Sequence, residues 1–245
     1  AATAAGSAIA STFTNAKLPT LSISKTSLGA VGAFSFAVTN DAASPLSITT
    51  VTSGTAVTGT LQTLTAAALT GGSVITETIP AGYAMTAASC SGLGTGGTAT
   101  PNLAAGTMTL NAAAAAAGSA ISCSFTNTKL PILTISKTST GGTSSFSIAV
   151  TNATTSPVTL NTALSNPASS TQTLTAAALT SGTVISESLG TAYIMSAASC
   201  TGLGTGGTAT PNLASATLTL NAAATAAGAV ITCNITNAKA APAIT

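Results

Sequence analysis

Alternation of apolar and polar residues predicts short β-strands along most of the chain. Successive side chains of a strand point to opposite faces of its sheet, so residues two apart share one face. In three predicted strands this face is apolar apart from one polar residue: Leu21, Ile23 and Lys25; Ile75, Glu77 and Ile79; and Ile121, Cys123, Phe125 and Asn127. We therefore expect a lysine, a glutamate and an asparagine to point into a hydrophobic core.

The same pattern recurs roughly 110 residues later, a spacing typical of one small domain. The second set has Lys137 with Leu133 and Ile135, Glu187 with Ile185 and Leu189, and Asn237 with Ile231, Cys233 and Ile235. We therefore divide the chain into residues 1–18, a first repeat at 19–128, a second repeat at 129–239, and a linker at 240–245 that leads to a further repeat.

Composition favours an all-β sandwich for each repeat. Thr, Ser, Ala and Gly dominate, aromatic residues make up only 3%, and turn residues are frequent, which is typical of sandwiches rather than helical folds. The alanine run 112–117 is too short for an independent helix, so we interpret it as a loop or a single turn. A second loop is predicted from Cys90 to Asn102, where the glycines fit a flexible hairpin.

The charge of the chain disfavours several partners. Five basic and three acidic residues give a net charge of +2 without a basic cluster, so we expect neither nucleic acid nor an anionic membrane surface to bind. No run of apolar residues approaches the length of about 18 residues that a transmembrane segment needs. The chain starts without a methionine or a leader, which implies that any signal peptide is removed or lies upstream.

Cysteine usage indicates an extracellular protein. Cys90 and Cys123 have the same spacing as Cys200 and Cys233, one pair in each repeat. There is no C-x-x-C motif and no histidine, so we expect no metal site, and no cofactor motif is present. We predict two disulfides within the repeats. The alternative is four reduced cysteines buried in the two cores.

Residues 1–18 resemble the end of each repeat, since AATAAGSAIASTFTNAKLP aligns with AAAAAGSAISCSFTNTKLP. Asn15 takes the position of the repeat asparagines, whereas Ser11 stands in place of the cysteine. Two interpretations remain open. The segment is the last strand of a preceding repeat, or it is donated to the sheet of a neighbouring subunit by β-augmentation, in which case Ile9, Phe13 and Asn15 belong to the donor strand.

A buried lysine, carboxylate and amide are costly unless they satisfy one another. They could form a hydrogen-bonded ion pair, reach solvent at strand ends, or react. Desolvation lowers the pKa of the lysine and raises that of the glutamate. A neutral amine could then attack the asparagine amide while the glutamate polarises the carbonyl and transfers protons, with loss of ammonia.

The strand ending at Lys25, the stretch TETIPAGY around Glu77 and the closing FTN at Asn127 resemble the B-type domains of collagen-binding adhesins and pilins, also called SpaA-like or prealbumin-like domains. The resemblance covers both repeats nearly end to end and implies two tandem immunoglobulin-like sandwiches. It also implies isopeptide bonds, Lys25 with Asn127 assisted by Glu77, and Lys137 with Asn237 assisted by Glu187. The second repeat departs from the pattern, with SESLGTAY in place of TETIPAGY.

These features predict a structural protein, a subunit or segment of a secreted bacterial cell-surface fibre, stalk or adhesin shaft, with copies of itself as partners. The near absence of charge favours self-association. The alternative is a surface-binding module that recognises ice or glycans through Thr-rich strands, although T-x-T rows are short, at 107–109 and 217–219. We do not expect an enzyme acting on an outside substrate, because a histidine and a second carboxylate are missing from each expected site.

Overall fold

The structure is a computed structural model that describes residues 11–163 and 167–240. Within these residues the secondary structure consists of nineteen strands and two four-residue helices. The all-β fold class predicted from the sequence is confirmed. Among the described residues no helix has the length and apolar character needed to cross a bilayer.

Repeat 1 comprises the first ten strands and the first helix. Their bounds are β1 (Thr20–Leu28), β2 (Ala33–Val38), β3 (Leu46–Thr49), β4 (Val57–Thr58), β5 (Gln62–Thr63), α1 (Ala68–Gly71), β6 (Ser73–Thr78), β7 (Tyr83–Ser91), β8 (Ala99–Asn102), β9 (Thr107–Leu110) and β10 (Ala120–Lys129). One sheet has the order β4-β1-β10-β7, with β5 also paired to β1, and the other has the order β3-β2-β6-β9-β8.

Repeat 2 follows after two residues and has the same plan. Its elements are β11 (Ile132–Thr140), β12 (Ser145–Val150), β13 (Val158–Asn161), β14 (Ala168–Thr173), α2 (Ala178–Ser181), β15 (Thr183–Ser188), β16 (Tyr193–Thr201), β17 (Ala209–Asn212), β18 (Thr217–Leu220) and β19 (Val230–Lys239). The sheet orders are β14-β11-β19-β16 and β13-β12-β15-β18-β17.

The first and last strands of each repeat are neighbours. Strand β1 pairs with β10 in parallel from Thr20↔Ala120 to Leu28↔Thr128, and β11 pairs with β19 in the same way. Parallel neighbours cannot be joined by a tight turn, so the intervening strands form the rest of the sandwich. The chain therefore enters and leaves each repeat through adjacent strands.

Each repeat has its own hydrophobic core, formed by the inner faces of both sheets. In repeat 1, Leu21 and Phe125 come from one sheet and Phe34 and Ile75 from the other, all at most 1% exposed. Burial of a large apolar side chain contributes about 1.5–3 kcal/mol. An equivalent cluster runs through repeat 2, so the alternation that predicted the strands also identifies the core faces.

The structure differs from the sequence prediction in local detail. The loop expected from Cys90 to Asn102 is wrong at both ends, because Cys90 lies in β7 and residues 99–102 form β8, paired with β9. The alanine run 112–117 forms turns, as predicted. Helix α1 was not predicted, since Ala and Leu in a short segment distinguish a turn of helix from a strand only weakly.

The N-terminal segment contains no strand where it is described, at residues 11–19. Phe13 is 89% exposed and Asn15 is also exposed. Ile9 lies outside the described residues, as do residues 241–245 of the predicted linker. The donor strand therefore remains a prediction.

Candidate functional site

Two adjacent strands and one strand of the opposite sheet bring three polar side chains together in repeat 1. In the parallel register, Lys25 of β1 faces Phe125 of β10, and Asn127 follows two residues later on the same inward face. Glu77 reaches them across the core from β6. Lys25 and Asn127 are 0% exposed and Glu77 is 3% exposed, so water cannot solvate their charges or dipoles.

One oxygen of the Glu77 carboxylate contacts both Lys25 and Asn127. Lys25 Nζ lies 2.8 Å from Glu77 Oε1 and 3.0 Å from Oε2. Asn127 Nδ2 donates a hydrogen bond to the same Oε1. The lysine amine and the asparagine amide are therefore both in contact with Oε1, and the carboxylate lies between them.

Repeat 2 assembles the same three residue types. Lys137 Nζ lies 3.1 Å from Glu187 Oε1, and Asn237 Nδ2 donates to that oxygen at 2.9 Å. All three side chains are buried. Within the described part of the chain, Glu187 Oε2 has no hydrogen-bond partner, so the lysine of repeat 2 contacts one carboxylate oxygen where that of repeat 1 contacts two.

Aromatic rings enclose both lysines. Lys25 Nζ lies 4.5 Å from the ring centroid of Phe34 and 5.9 Å from that of Phe36, and Lys137 Nζ lies 4.5 Å from that of Phe146. The ring faces favour a cation electrostatically, but they also exclude water from the amine. Sequence reasoning missed these rings, because the residue that meets a lysine across the core depends on how the two sheets pack.

Burial shifts the pKa values of the ionisable groups towards their neutral forms. Desolvation lowers the pKa of Lys25 to about 8, although the hydrogen bond and charge of Glu77 oppose the shift. Desolvation also raises the pKa of Glu77, against the opposing influence of Lys25 and Asn127. The pKa of Lys137 is lowered by the same cause. Both shifts in repeat 1 favour transfer of a proton from the amine to the carboxylate.

The amide oxygens of the two asparagines are unsatisfied. Asn127 Oδ1 and Asn237 Oδ1 are buried and have no hydrogen-bond partner among the described residues. A buried acceptor without a donor costs about 1–3 kcal/mol. Each amide oxygen is therefore free to accept a hydrogen bond. The acidic residue of each site is the glutamate that already accepts a hydrogen bond from the amide nitrogen.

Each repeat also contains a disulfide, in the sheet that carries the lysine and the asparagine. Cys90–Cys123 joins β7 to β10, and Cys200–Cys233 joins β16 to β19. The paired cysteines lie directly opposite each other in the antiparallel register. The alternative of four reduced cysteines is thus wrong. No cluster that could hold a metal ion occurs in residues 11–163 and 167–240.

Comparison with known families agrees with the motifs of the sequence. The SpaA-type family described as a prealbumin-like fold domain matches twice, over residues 21–129 and 133–239. The chain belongs to this family. The resemblance noted around Lys25, Glu77 and Asn127 is thereby confirmed at the level of the family. No curated protein matches the chain.

Several solved structures are similar to this SpaA-type chain. The major pilin T-13 of Streptococcus pyogenes is 11% identical, with 92% of this chain and 98% of that chain covered and a TM-score of 0.28. The C-terminal fragment of the pilus adhesin SpaC of Lactobacillus rhamnosus GG is 14% identical, with 94% and 100% covered and a TM-score of 0.30.

A third similar structure is an adhesin from Mobiluncus mulieris that contains intramolecular disulfide, isopeptide and ester bond cross-links. It is 9% identical, with 87% of this chain and 86% of that chain covered and a TM-score of 0.31. At these scores the superpositions carry no argument about this chain, and its membership of the SpaA-type family rests on the sequence match.

Proposed function

We propose that the chain is a structural segment of a bacterial cell-surface fibre or adhesin shaft in which an isopeptide bond closes each repeat. One observation carries the proposal: in both repeats a lysine of the first strand and an asparagine of the last strand contact the same oxygen of a buried glutamate. A site built only for an ion pair would not need an amide on that oxygen. The SpaA-type fold is consistent with a structural role.

The reaction needs no outside reagent. A proton moves from Lys25 to Glu77, which leaves a neutral amine next to a carboxylic acid. When the Asn127 amide turns about its Cβ–Cγ bond, the acid can donate to Oδ1, and Nζ attacks Cγ. The Cγ–Nδ2 bond breaks, the amine proton passes through Glu77 to Nδ2, and ammonia leaves. Amine and primary amide thus become one secondary amide, and the Glu77 carboxylate is regenerated when its remaining proton leaves with the ammonia as ammonium.

The position of the bond suits a protein under tension. Force applied to the chain enters repeat 1 at β1 and leaves at β10. A bond from Lys25 to Asn127 would pass this force directly between the two strands, so residues 26–126 would carry none of it. The Cys90–Cys123 disulfide lies inside this protected range. The repeat could then extend only by the few residues outside the bond.

The same bond explains why no substrate is needed. The glutamate acts once on two side chains of its own chain, so the site produces a cross-link and no turnover. In repeat 2, Glu187 would act on Lys137 and Asn237 in the same way. The partners of the finished shaft would be further copies of the chain at the cell surface.

Intact mass of the full chain, measured after reduction and denaturation, tests the proposal. We expect a deficit of two ammonia molecules relative to the sequence, and proteolytic peptides in which Lys25 is joined to Asn127 and Lys137 to Asn237. The isosteric variant Glu77→Gln should recover one ammonia in mass and leave the repeat 2 bond intact. A wild-type mass equal to that of the sequence would exclude both bonds.

A further inference from the structure

The joint between the two repeats is a packed interface as well as a linker. Only Leu130 and Pro131 separate β10 from β11. The backbone N–H of Gly228 donates to the carbonyl of Lys129 at 2.9 Å. Gly29 approaches the loop of repeat 2 so closely that a Cβ there would lie 2.6 Å from the carbonyl carbon of Ala227.

Beside this contact the two repeats line an open cavity of about 1030 Å³. Repeat 1 contributes Leu28, Tyr83 and Leu103, and repeat 2 contributes Leu179, Ala223 and Ala226. The lining is mostly apolar, and none of its residues is charged. The interface therefore depends on shape and apolar contact.

Repeat 1 carries the same end face that repeat 2 uses in this joint. Residues 66–70 and 112–117 repeat residues 176–180 and 222–227 without a change, apart from Ala115 against Thr225. Both of these side chains are fully buried, so the surface itself is identical. We name residues 66–70 and 112–118 the alanine face of repeat 1.

The alanine face is already arranged as in the joint. The N–H of Gly118 donates to the carbonyl of Lys17 at 2.8 Å, which reproduces the bond from Gly228 to Lys129. Ala117 and Gly118 are nevertheless exposed, whereas Ala227 and Gly228 are half-buried by the contact with repeat 1. Among the described residues, nothing covers the alanine face of repeat 1 in the way that repeat 1 covers residues 176–180 and 222–228 of repeat 2.

The opposite end of repeat 2 retains the complementary features. Gly141 has a φ of 79°, matching 78° at Gly29, so the backbone can again approach a neighbour without a side chain. Ile194 and Leu213 are 56% and 42% exposed at positions equivalent to Ala84 and Leu103, which line the joint cavity. We name Gly141, Ile194 and Leu213 the apolar end of repeat 2.

We propose that the alanine face of repeat 1 binds the apolar end of repeat 2 of a second copy of this chain. The contact is heterologous, so it leaves one face free at each end and adds copies head to tail. In this contact the alanine face of repeat 1 would be covered as the equivalent face of repeat 2 is covered within the chain. This inference rests on the proposed fibre function for its biological setting, but it does not depend on the isopeptide bonds.

The affinity of this contact is expected to be low. Inside the chain the short linker supplies an effective concentration on the order of millimolar, and two separate copies lack this advantage. Lys17 and Lys239 lie at the two ends, near Gly118 and Gly141 respectively, and their like charges would meet in the new joint. Added salt should therefore strengthen the association.

Sedimentation equilibrium of the full chain from about 10 µM to about 1 mM covers this range of affinity. We expect the weight-average mass to rise with concentration, and to rise further with salt. Ala117→Glu alters an exposed residue of the alanine face, and Ile194→Glu alters the apolar end, so each variant alone should lose the rise. Ser47→Glu on the exposed side of β3 is the matched control and should associate like the wild type.

A mixture of the two variants distinguishes this contact from other modes of association. The intact apolar end of Ala117→Glu can bind the intact alanine face of Ile194→Glu, so the mixture should form dimers that do not grow further. A constant monomer mass of the wild type up to about 1 mM, or a rise unaffected by either variant, would overturn the proposal. Intact mass of the same samples reports the isopeptide bonds separately, so the two proposals can fail independently.

Discussion

The two repeats bury the same three polar side chains but surround them differently. In repeat 1, Phe36 lies opposite Glu77 in the β2–β6 pair, and its ring packs 5.1 Å from that of Phe125. The equivalent residues of repeat 2 are Ile148 and Ile235. Both carboxylates are nevertheless buried, since the side chains of Glu77 and Glu187 are 0% exposed.

This difference coincides with a change in the ion pair. Lys25 contacts both oxygens of Glu77, whereas Lys137 is close to one oxygen of Glu187 and leaves the other without a partner. The disulfides do not differ in this way, since their Cα–Cα distances are 4.1 Å and 4.0 Å. The comparison teaches that the strand pattern brings the three groups together in both repeats, whereas their aromatic neighbours and the contacts of the ion pair differ.

Removal of the asparagine is expected to have the largest effect. Asn127→Ala prevents the bond in repeat 1, and Asn237→Ala prevents it in repeat 2. A covalent loop of about 100 residues stabilises a fold by roughly 5 kcal/mol in the chain-entropy model, so each variant should lose about this amount. Differential scanning calorimetry of the full chain should resolve the transition of the altered repeat at a much lower temperature.

Asn15→Ala provides the matched control for these two variants, because Asn15 is exposed and its loss should leave both transitions unchanged. If Asn127→Ala loses stability and Asn237→Ala does not, the looser site of repeat 2 does not react. Loss in neither variant would contradict the cross-link in both repeats.

The sequence predicts the strands and the inward direction of the three polar residues, because both follow from a period of two. It predicts the two repeats because the same pattern recurs after roughly 110 residues. It does not predict that Phe34 covers Lys25, since the contact of residues from opposite sheets depends on sheet packing. It also does not predict the register shift between Thr126 and Asn127 in the β10–β7 pair. The bulge adds Thr86 to β7 and interrupts the alternation of that strand, so Met85, Ala88 and Cys90 contribute to the core.

Exchange of the aromatic residues should change the rate of cross-linking. The double variant Phe36→Ile and Phe125→Ile gives repeat 1 the surroundings of repeat 2, so Lys25 should be less desolvated and more often protonated. Because each unit of pKa changes the fraction of neutral amine about tenfold, we expect several-fold slower bond formation in repeat 1. Quantitative mass spectrometry of the linked peptides during refolding measures this rate.

The reverse exchange, Ile148→Phe and Ile235→Phe, is the matched test in repeat 2 and should accelerate formation of the Lys137 to Asn237 bond. Circular dichroism of each variant checks that the fold is retained. Equal rates in the wild-type repeats, unaffected by either exchange, would show that the aromatic residues have no influence on the reaction.

The pH dependence of stability should give the smallest effect, and it is visible only where the bond is absent. In Asn127→Ala, Lys25 and Glu77 remain titratable. The pKa of Lys25 falls from its ordinary value of 10.5 to about 8 in the folded chain, so between these values the unfolded chain binds more protons. The free energy of unfolding should therefore rise from pH 8 to pH 10.5 and stay level just below pH 8.

Glu77 contributes to stability with the opposite dependence on pH. Its raised pKa gives stability at pH values below its ordinary 4.5, and this contribution is lost as the pH rises through the folded value.

Urea unfolding of Asn127→Ala at pH 8 and pH 10, followed by circular dichroism, measures the lysine contribution. Adding Lys25→Met should abolish the rise, and Asn237→Ala should show a rise of the same sign because the pKa of Lys137 is also lowered. If stability in Asn127→Ala instead falls between pH 8 and pH 10 while the Lys25→Met control stays level, Lys25 is held as a cation in the folded chain and cannot be the nucleophile.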